Sequence, residues 1–348
     1  MQTEYSLKVT HKAQLTKNAL VLQFEMPEEL ARQFQFIPGQ YITLVQEINS
    51  QEIRRSYSLC SAPSAQEWAV AIKRVDQGVF SNWAHDKLSV GDTIKALPPE
   101  GRFILQPDAA DQSHYMAFAA GSGITPIMSM IRSVLTQAPH AKFTLVYGNQ
   151  NKAETMFAED LADLKNTYPD RFSLVSFYSR ETLEGARFGR IEASTVRHLM
   201  KQEYADTKFD QFFLCGPEAM IVVLKEVLQE FGGTSTNIHY ELFFSLAQEP
   251  TESAQGQSTL RVVLDGVTDT FVINKDAPIL DAVLAKDLDP PYSCQGGVCS
   301  SCIARVTEGK ATMIKNQILT DSEVAEGLIL TCQALAESDV ISIDYDNV

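Results

Sequence analysis

Three patterns of apolar and polar positions follow one another along the chain. Up to about residue 105, short runs rich in β-branched and aromatic residues alternate with turn signals. Examples are Leu20-Val21-Leu22-Gln23-Phe24, Tyr41-Ile42-Thr43-Leu44-Val45 and Trp68-Ala69-Val70-Ala71-Ile72, with Phe36-Ile37-Pro38-Gly39-Gln40 as a turn before the second. Short, evenly spaced strands predict an antiparallel β-barrel. From about 106 to 244 the pattern becomes strand, glycine loop, helix. Strands are expected at 115–119, 143–147, 172–177 and 211–215, and helices at 127–135, 155–166 and 193–200. Such alternation predicts an α/β doubly wound parallel sheet. Residues 245–258 are polar and poor in bulky apolar side chains, as in a flexible linker. Beyond them, runs at 260–264 and 269–273 flank an Asp265-Gly266 turn, 278–284 reads as a helix, and 303–306 and 340–343 read as strands. The fold class is therefore multidomain: barrel 1–105, α/β domain 106–244, linker 245–258 and a small α+β domain 259–348.

Composition narrows the functional classes. The chain has 348 residues, is 45% hydrophobic and 21% charged, and carries a net charge of −15. That balance buries ordinary cores and disfavours non-specific binding to nucleic acid or anionic membranes. From Ser258 onward there are 14 acidic and 6 basic residues, so the last segment is disproportionately negative. An acidic face of this kind steers toward a basic partner; it equally keeps a protein in solution. The first residues lack the basic and apolar regions of a secretion signal, and the most apolar stretch, 115–131, is broken by Gly121, Gly123 and Pro126. A cytoplasmic location is expected, and a reducing compartment suits thiolate chemistry.

That chemistry is concentrated in Cys294, Cys299, Cys302 and Cys332. The spacing C-x4-C-x2-C followed by a distant cysteine is that of plant-type [2Fe-2S] sites. Gly296 and Gly297 are expected to let the loop curl through positive φ and bring backbone N–H groups to sulfur. Zinc sites use paired ligands, and no second pair stands near Cys332. A Rieske centre needs two histidines, and none occurs between 240 and 348.

A one-electron carrier needs a source of electrons, and two groups of residues upstream suit one. In the barrel, Arg55-Ser56-Tyr57-Ser58 combines a cation, an aromatic ring and hydroxyls. Tyr57 suits stacking on a flavin, Ser58 a hydrogen bond near its reactive nitrogen, and Arg55 its pyrophosphate. Ile72 and Lys73, ending a strand, join this set. Gly78-Val79-Phe80-Ser81 opens a helix expected over 82–88, whose free N–H groups favour an anion; Ser81 also suits an ordinary N-cap. In the α/β segment, Gly121-Ser122-Gly123-Ile124-Thr125-Pro126 follows a strand and presents backbone N–H groups to a dinucleotide, with Pro126 suited to a first helical position. Cys215-Gly216-Pro217 ends another strand, where Cys215 suits either the edge of a nicotinamide pocket or plain apolar packing. Ser179 and Arg180, assisted by Arg187 and Arg190, suit the 2′-phosphate of NADPH, with NADH as the alternative.

Taken in order, Arg55-Ser56-Tyr57-Ser58, Gly78-Val79-Phe80-Ser81, Gly121-Ser122-Gly123-Ile124-Thr125-Pro126, Cys215-Gly216-Pro217 and the four cysteines resemble the ferredoxin–NADP reductase superfamily. The likeness is to its branch with a C-terminal plant-type, β-grasp-like ferredoxin domain, and it spans nearly the whole chain. Ser122 departs from the threonine common in this family but keeps a hydroxyl. Further stretches, including Phe143-Thr144-Leu145-Val146-Tyr147-Gly148-Asn149 and Tyr292-Ser293-Cys294-Gln295-Gly296-Gly297-Val298-Cys299, resemble the reductase subunits of phenylacetyl-CoA epoxidases. The resemblance implies FAD in the barrel, NAD(P)H on the second domain and [2Fe-2S] on the third. It implies that Glu241 or Phe243 lies near the flavin, so that Glu241 joins Ser58 and Cys215 as the residues expected at the reacting centre. It also implies an oxygenase partner, a di-iron epoxidase complex of phenylacetate catabolism. A Rieske-type or other hydroxylase, or a hybrid-cluster protein, is the alternative partner.

Overall fold

The computed structural model describes residues 3–65, 67–243, 256–286 and 288–348. Two compact units are distinguished. One is Tyr5–Ile53 with Tyr57–Phe243; the other is Phe244–Val348 with Met1–Glu4 and Arg54–Ser56.

The first sheet contains β1 (Tyr5–Thr16), β2 (Ala19–Glu25), β3 (Tyr41–Ile48), β4 (Gln51–Ser58), β5 (Trp68–Lys73) and β6 (Thr93–Ala96), in the order β4-β3-β6-β1-β2-β5. Its registered pairings are antiparallel, as the alternating runs require. Asn49 and Ser50 both take positive φ between β3 and β4, the backbone a two-residue hairpin needs to match strand twist. Leu7, Leu20, Leu22, Ile42, Leu44, Val70 and Ile72 fill the interior against Phe34 and Phe80. Helix α1 spans Val79–Asp86. It begins earlier than the sequence pattern suggests, and its N-cap is Gly78 rather than Ser81. Ser81 is turned inward instead, where its Oγ accepts a hydrogen bond from the Val75 amide at 3.1 Å. At the other end, Lys12 donates to the carbonyls of Ala84, His85 and Leu88 at 3.0, 2.9 and 2.6 Å. A cation there complements the helix dipole.

The second sheet is parallel: β7 (His114–Ala120), β8 (Lys142–Asn149), β9 (Phe172–Tyr178), β10 (Arg187–Phe188), β11 (Gln211–Gly216) and β12 (Ile238–Leu242). The strands stand in the order β10-β9-β8-β7-β11-β12, so the winding reverses beside β7. Open α/β sheets bind ligands at such a reversal, beyond the carboxyl ends of the strands. The helices are α2 (Ile124–Gln137), α3 (Ala158–Thr167), α4 (Ala193–Gln202) and α5 (Glu218–Gln229). α2 starts three residues earlier than expected, directly after a 3₁₀ turn at Gly121–Gly123, so Pro126 lies inside its first turn. The same helix ties this layer to the barrel. Ser129 Oγ donates to the Ser61 carbonyl at 2.6 Å, and Arg132 Nη1 to the Cys60 carbonyl at 2.7 Å while also pairing with Asp160. Barrel residues Ala19, Cys60, Ala69 and Phe103 share one apolar core with Ile127, Ile131, Phe143 and Phe213.

The remaining unit is built on β13 (Gln257–Leu264), β14 (Val267–Asn274), β15 (Ile303–Glu308), β17 (Leu328–Leu330) and β19 (Val340–Asp344), in the order β14-β13-β19-β15-β17; β16 (Ala311–Met313) pairs with β18 (Ala334–Ala336). Helices α6 (Ile279–Leu284) and α7 (Asp321–Ala325) complete it. Asp265 and Gly266 make the expected hairpin turn, and the Asp346 carboxylate accepts both of their amides at 2.9 and 2.7 Å. Most of the expected linker lies outside the described residues, but Gln257 and Ser258 already belong to β13.

Candidate functional site

A cleft of about 990 Å³ opens at the carboxyl ends of the parallel strands. Its lining includes Gly121, Ser122, Gly123, Gly148, Gly216 and Pro217, with Ser179, Arg190 and Phe243 at other points of the wall. The glycine loop is set by backbone constraints. Gly123 has an ordinary helical φ, but a Cβ there would stand 2.2 Å from the Cys215 carbonyl oxygen. That is shorter than any tolerable contact, so only glycine lets the loop lie against the end of β11. Tyr147 Oη donates to the Gly121 carbonyl at 3.0 Å and fixes the loop from the other side. No side chain caps the N-terminus of α2, whose dipole therefore faces the cleft unneutralised. Bare amides, a helix N-terminus and glycine walls fit a dinucleotide pyrophosphate.

Several residues named from sequence meet in this cleft: Gly121, Ser122, Gly123, Ser179, Gly216, Pro217, Phe243 and also Lys73 from the end of β5. Thr125, Pro126 and Cys215 are buried and do not line it. Thr125 Oγ1 donates to the Ser122 carbonyl at 3.1 Å, a role in holding the loop. Arg180 is exposed and does not line the cleft, whereas Arg190 and Arg197 do. Arg187 pairs with Glu203 and Arg197 with Glu230. Gln150, Glu192 and Ser194 also contribute to the wall. Sequence motifs do not reveal these, because two separate stretches, the chain after β8 and the one leading from β10 into α4, bring them to one rim.

In the barrel, Ser58 is buried at the end of β4, while Arg55, Ser56 and Tyr57 are half-buried. The Tyr57 ring lies 5.7 Å from that of Phe80, and Phe80 in turn packs on Trp83. Ile72 is wholly buried in the barrel core, so its contribution is to packing. Val79 is 48% exposed at the first turn of α1, where no side chain caps the amides. An aromatic ring, a buried hydroxyl and an uncapped helix N-terminus fit the ring system and diphosphate of FAD.

The four cysteines of the C-terminal unit are free thiols, Cys299, Cys302 and Cys332 buried and Cys294 partly so. They fall into two hydrogen-bonded pairs, Cys294 with Cys299 and Cys302 with Cys332. Among the described residues, no three His, Cys, Asp or Glu side chains gather as they would around a single ion. Two thiol pairs are what a two-iron rhomb requires. The Cys294 thiol is lowered to about 7, first by the hydrogen bond from Cys299 and then by backbone donors, while Cys299 is pushed up by the same pairing and by burial. The Gly296 amide donates to Cys294 Sγ at 3.3 Å and the Cys294 amide to Cys299 Sγ at 3.4 Å. The expectation of positive φ holds for Gly297 but not for Gly296; Gln295 and Ser300 take it instead. Such backbone costs about 1 kcal/mol or more in a non-glycine residue and persists where the surroundings impose it.

The oxidoreductase FAD-binding domain family matches residues 6–104, the oxidoreductase NAD-binding domain family 118–226, and the 2Fe-2S iron-sulfur cluster binding domain family 262–337. The chain belongs to the family of oxygenase reductase components that join these three domains, and it is an oxidoreductase. It is 37% identical to a component of the 1,2-phenylacetyl-CoA epoxidase of Escherichia coli (strain K12), over 99% of both chains. It is 32% identical to the ferredoxin reductase component of 3-ketosteroid-9-alpha-monooxygenase from Rhodococcus rhodochrous, over 97% of this chain and 96% of that one. Among solved structures, phthalate dioxygenase reductase shares the fold, with a TM-score of 0.62, 22% identity and 98% coverage of both chains. No helix among the described residues is long and apolar enough to cross a membrane.

Proposed function

We propose that this chain draws electrons from NADPH and delivers them to a di-iron oxygenase that epoxidises the ring of phenylacetyl-CoA, in the cytoplasm. The observation that carries the proposal is the 37% identity, running end to end, with a component of a phenylacetyl-CoA epoxidase. When bound, the nicotinamide supplies a hydride, FAD divides the electron pair, and [2Fe-2S] carries single electrons. The protein supplies position and electrostatics. The barrel holds FAD: Tyr57 and Ser58 flank its ring system, and the uncapped N-terminus of α1 takes its diphosphate. Residues 106–244 hold the nicotinamide cofactor. The 121–123 turn with the N-terminus of α2 takes the pyrophosphate, Ser179 with Arg190 takes the 2′-phosphate, and Phe243, with the buried Cys215 and Glu241, shapes the nicotinamide pocket. The unit that begins with β13 holds the cluster through Cys294, Cys299, Cys302 and Cys332. No side chain has to move a proton; the work lies in aligning the reacting centres.

A monooxygenase or Rieske-type partner is the second reading, favoured by the 32% identity with a ketosteroid monooxygenase component. Purified oxygenase components decide between them. The proposal expects NADPH oxidation coupled to loss of phenylacetyl-CoA. Oxidation without that loss, while another oxygenase is driven efficiently, refutes it.

A further inference from the structure

Cys332 comes from a different part of the chain than its three companions, so something must register it against them. It sits between β17 and β18, and its two sequence neighbours reach opposite ends of the cysteine loop. The Thr331 amide donates to the Cys302 carbonyl at 3.0 Å, and Thr331 Oγ1 donates to the same oxygen at 2.9 Å. That hydroxyl has spent its single proton, so it accepts from Tyr345 Oη at 3.0 Å. On the other side, Gln333 Nε2 donates to the Gln295 carbonyl at 3.2 Å and to the Cys332 carbonyl at 2.9 Å. Gln333 also packs under the loop: a Cβ added at Gly297 would stand 2.8 Å from its Cγ, at a position where φ is +72°. Thr331, Gln333 and Tyr345 are all buried. Together these contacts join the Cys332 turn to the loop and to the end of β19. A satisfied buried network of this kind specifies one geometry.

We propose that Thr331, Gln333 and Tyr345 are positioning residues that clasp Cys332 to the three-cysteine loop and so govern how firmly the cluster is held and how symmetric its iron environment is. The proposal rests on the cluster assignment above. Residues supporting metal ligands through hydrogen bonds typically change metal retention by about tenfold or more when removed.

The test uses the full-length holoprotein and four variants: T331V, T331S, Q333L and Y345F. The readouts are the rate of iron release to a chelator and the electron paramagnetic resonance g values of the reduced cluster. Reduction of ferricyanide by NADPH serves as a check on the flavin unit. T331V and Q333L should release iron about tenfold faster than the parent and shift the g values. T331S, which keeps the hydroxyl, should match the parent, and Y345F should fall between. A parent protein that shows no [2Fe-2S] absorbance removes the cluster assignment itself. A parent with its cluster, and with release rates and g values that Q333L and Y345F leave unchanged, overturns the clasp. So does a T331S protein that behaves as T331V does. If T331V does not accumulate as folded protein, Q333L and Y345F decide alone.

Discussion

Cys215 stands directly opposite Glu241 across the parallel strands β11 and β12, and both side chains are buried. Burial pushes the Cys215 thiol well above its usual range, and the Glu241 charge adds to the effect. A thiol in that setting stays protonated at neutral pH and is no nucleophile. Its value lies in filling space at the end of β11, with Gly123 pressed against its carbonyl.

Replacing Cys215 by Ala should therefore slow reduction of the flavin by NADPH about tenfold, roughly 1.4 kcal/mol of barrier, with KM changed far less. Stopped-flow bleaching of flavin absorbance measures this. Iodoacetamide at about pH 8, near the ordinary thiol pKa, should leave Cys215 unmodified in the folded protein, as peptide mapping can establish. Rapid alkylation there would contradict a buried, neutral thiol.

Gly123→Ala carries a steeper penalty. The added methyl would meet Cys215 O at 2.2 Å and Cys215 C at 2.5 Å, both backbone atoms unable to rotate away. The loop or the end of β11 must shift, which displaces the amides meant for the cofactor. We expect loss of at least about 100-fold in kcat/KM for NADPH, as misplacement of about 1 Å commonly costs. The cluster absorbance should persist unchanged, since the substitution touches only the other unit.

Selectivity between NADPH and NADH should depend on Arg190 more than on Arg180, because only the former lines the cleft. Arg190→Ala should raise KM for NADPH about tenfold and leave KM for NADH within about twofold, the scale of one charge-assisted hydrogen bond. Arg180→Ala should do less. Equal effects of Arg190→Ala on both cofactors would remove it from the 2′-phosphate site.

Alkaline pH should weaken the unit that contains Cys60. Burial raises this thiol to about 12, so above its unfolded value, near 9, the folded state holds a proton that the unfolded chain releases. The stabilisation is complete below about pH 9 and is lost progressively up to about 12. At about pH 10 the wild type should have lost about 1.4 kcal/mol more than Cys60→Ala, relative to about pH 7.5. Urea titrations followed by flavin fluorescence give the comparison.

Much of the scaffold is legible in the sequence because it depends on local rules. The alternating runs of the barrel, the Asp265-Gly266 hairpin and the strand–glycine–helix order of 115–137 each reflect a period or a turn within a few residues. The cysteine spacing is likewise local, apart from Cys332. What sequence does not reveal comes from distance. Arg190, Glu192 and Arg197 reach the cleft only because the chain after β10 and α4 return to the same rim. Ser81 reads as a helix cap, yet an amide six residues earlier captures its hydroxyl. Gln295 and Ser300 adopt a backbone that their residue types disfavour, so no propensity rule would choose them over Gly296.

Gly121, Gly148 and Gly216 lie side by side at the ends of β7, β8 and β11, so the floor of the cleft is main chain. Main chain carries no record of which nucleotide it serves: its amides look the same to any diphosphate. Discrimination is thereby left to a rim of arginines, serines and glutamates. A lineage could exchange one reduced cofactor for another by altering that rim alone, leaving the electron path to the flavin untouched. The separation of an indifferent floor from an adjustable rim lets cofactor preference change without touching the turn that a single methyl at Gly123 would disrupt.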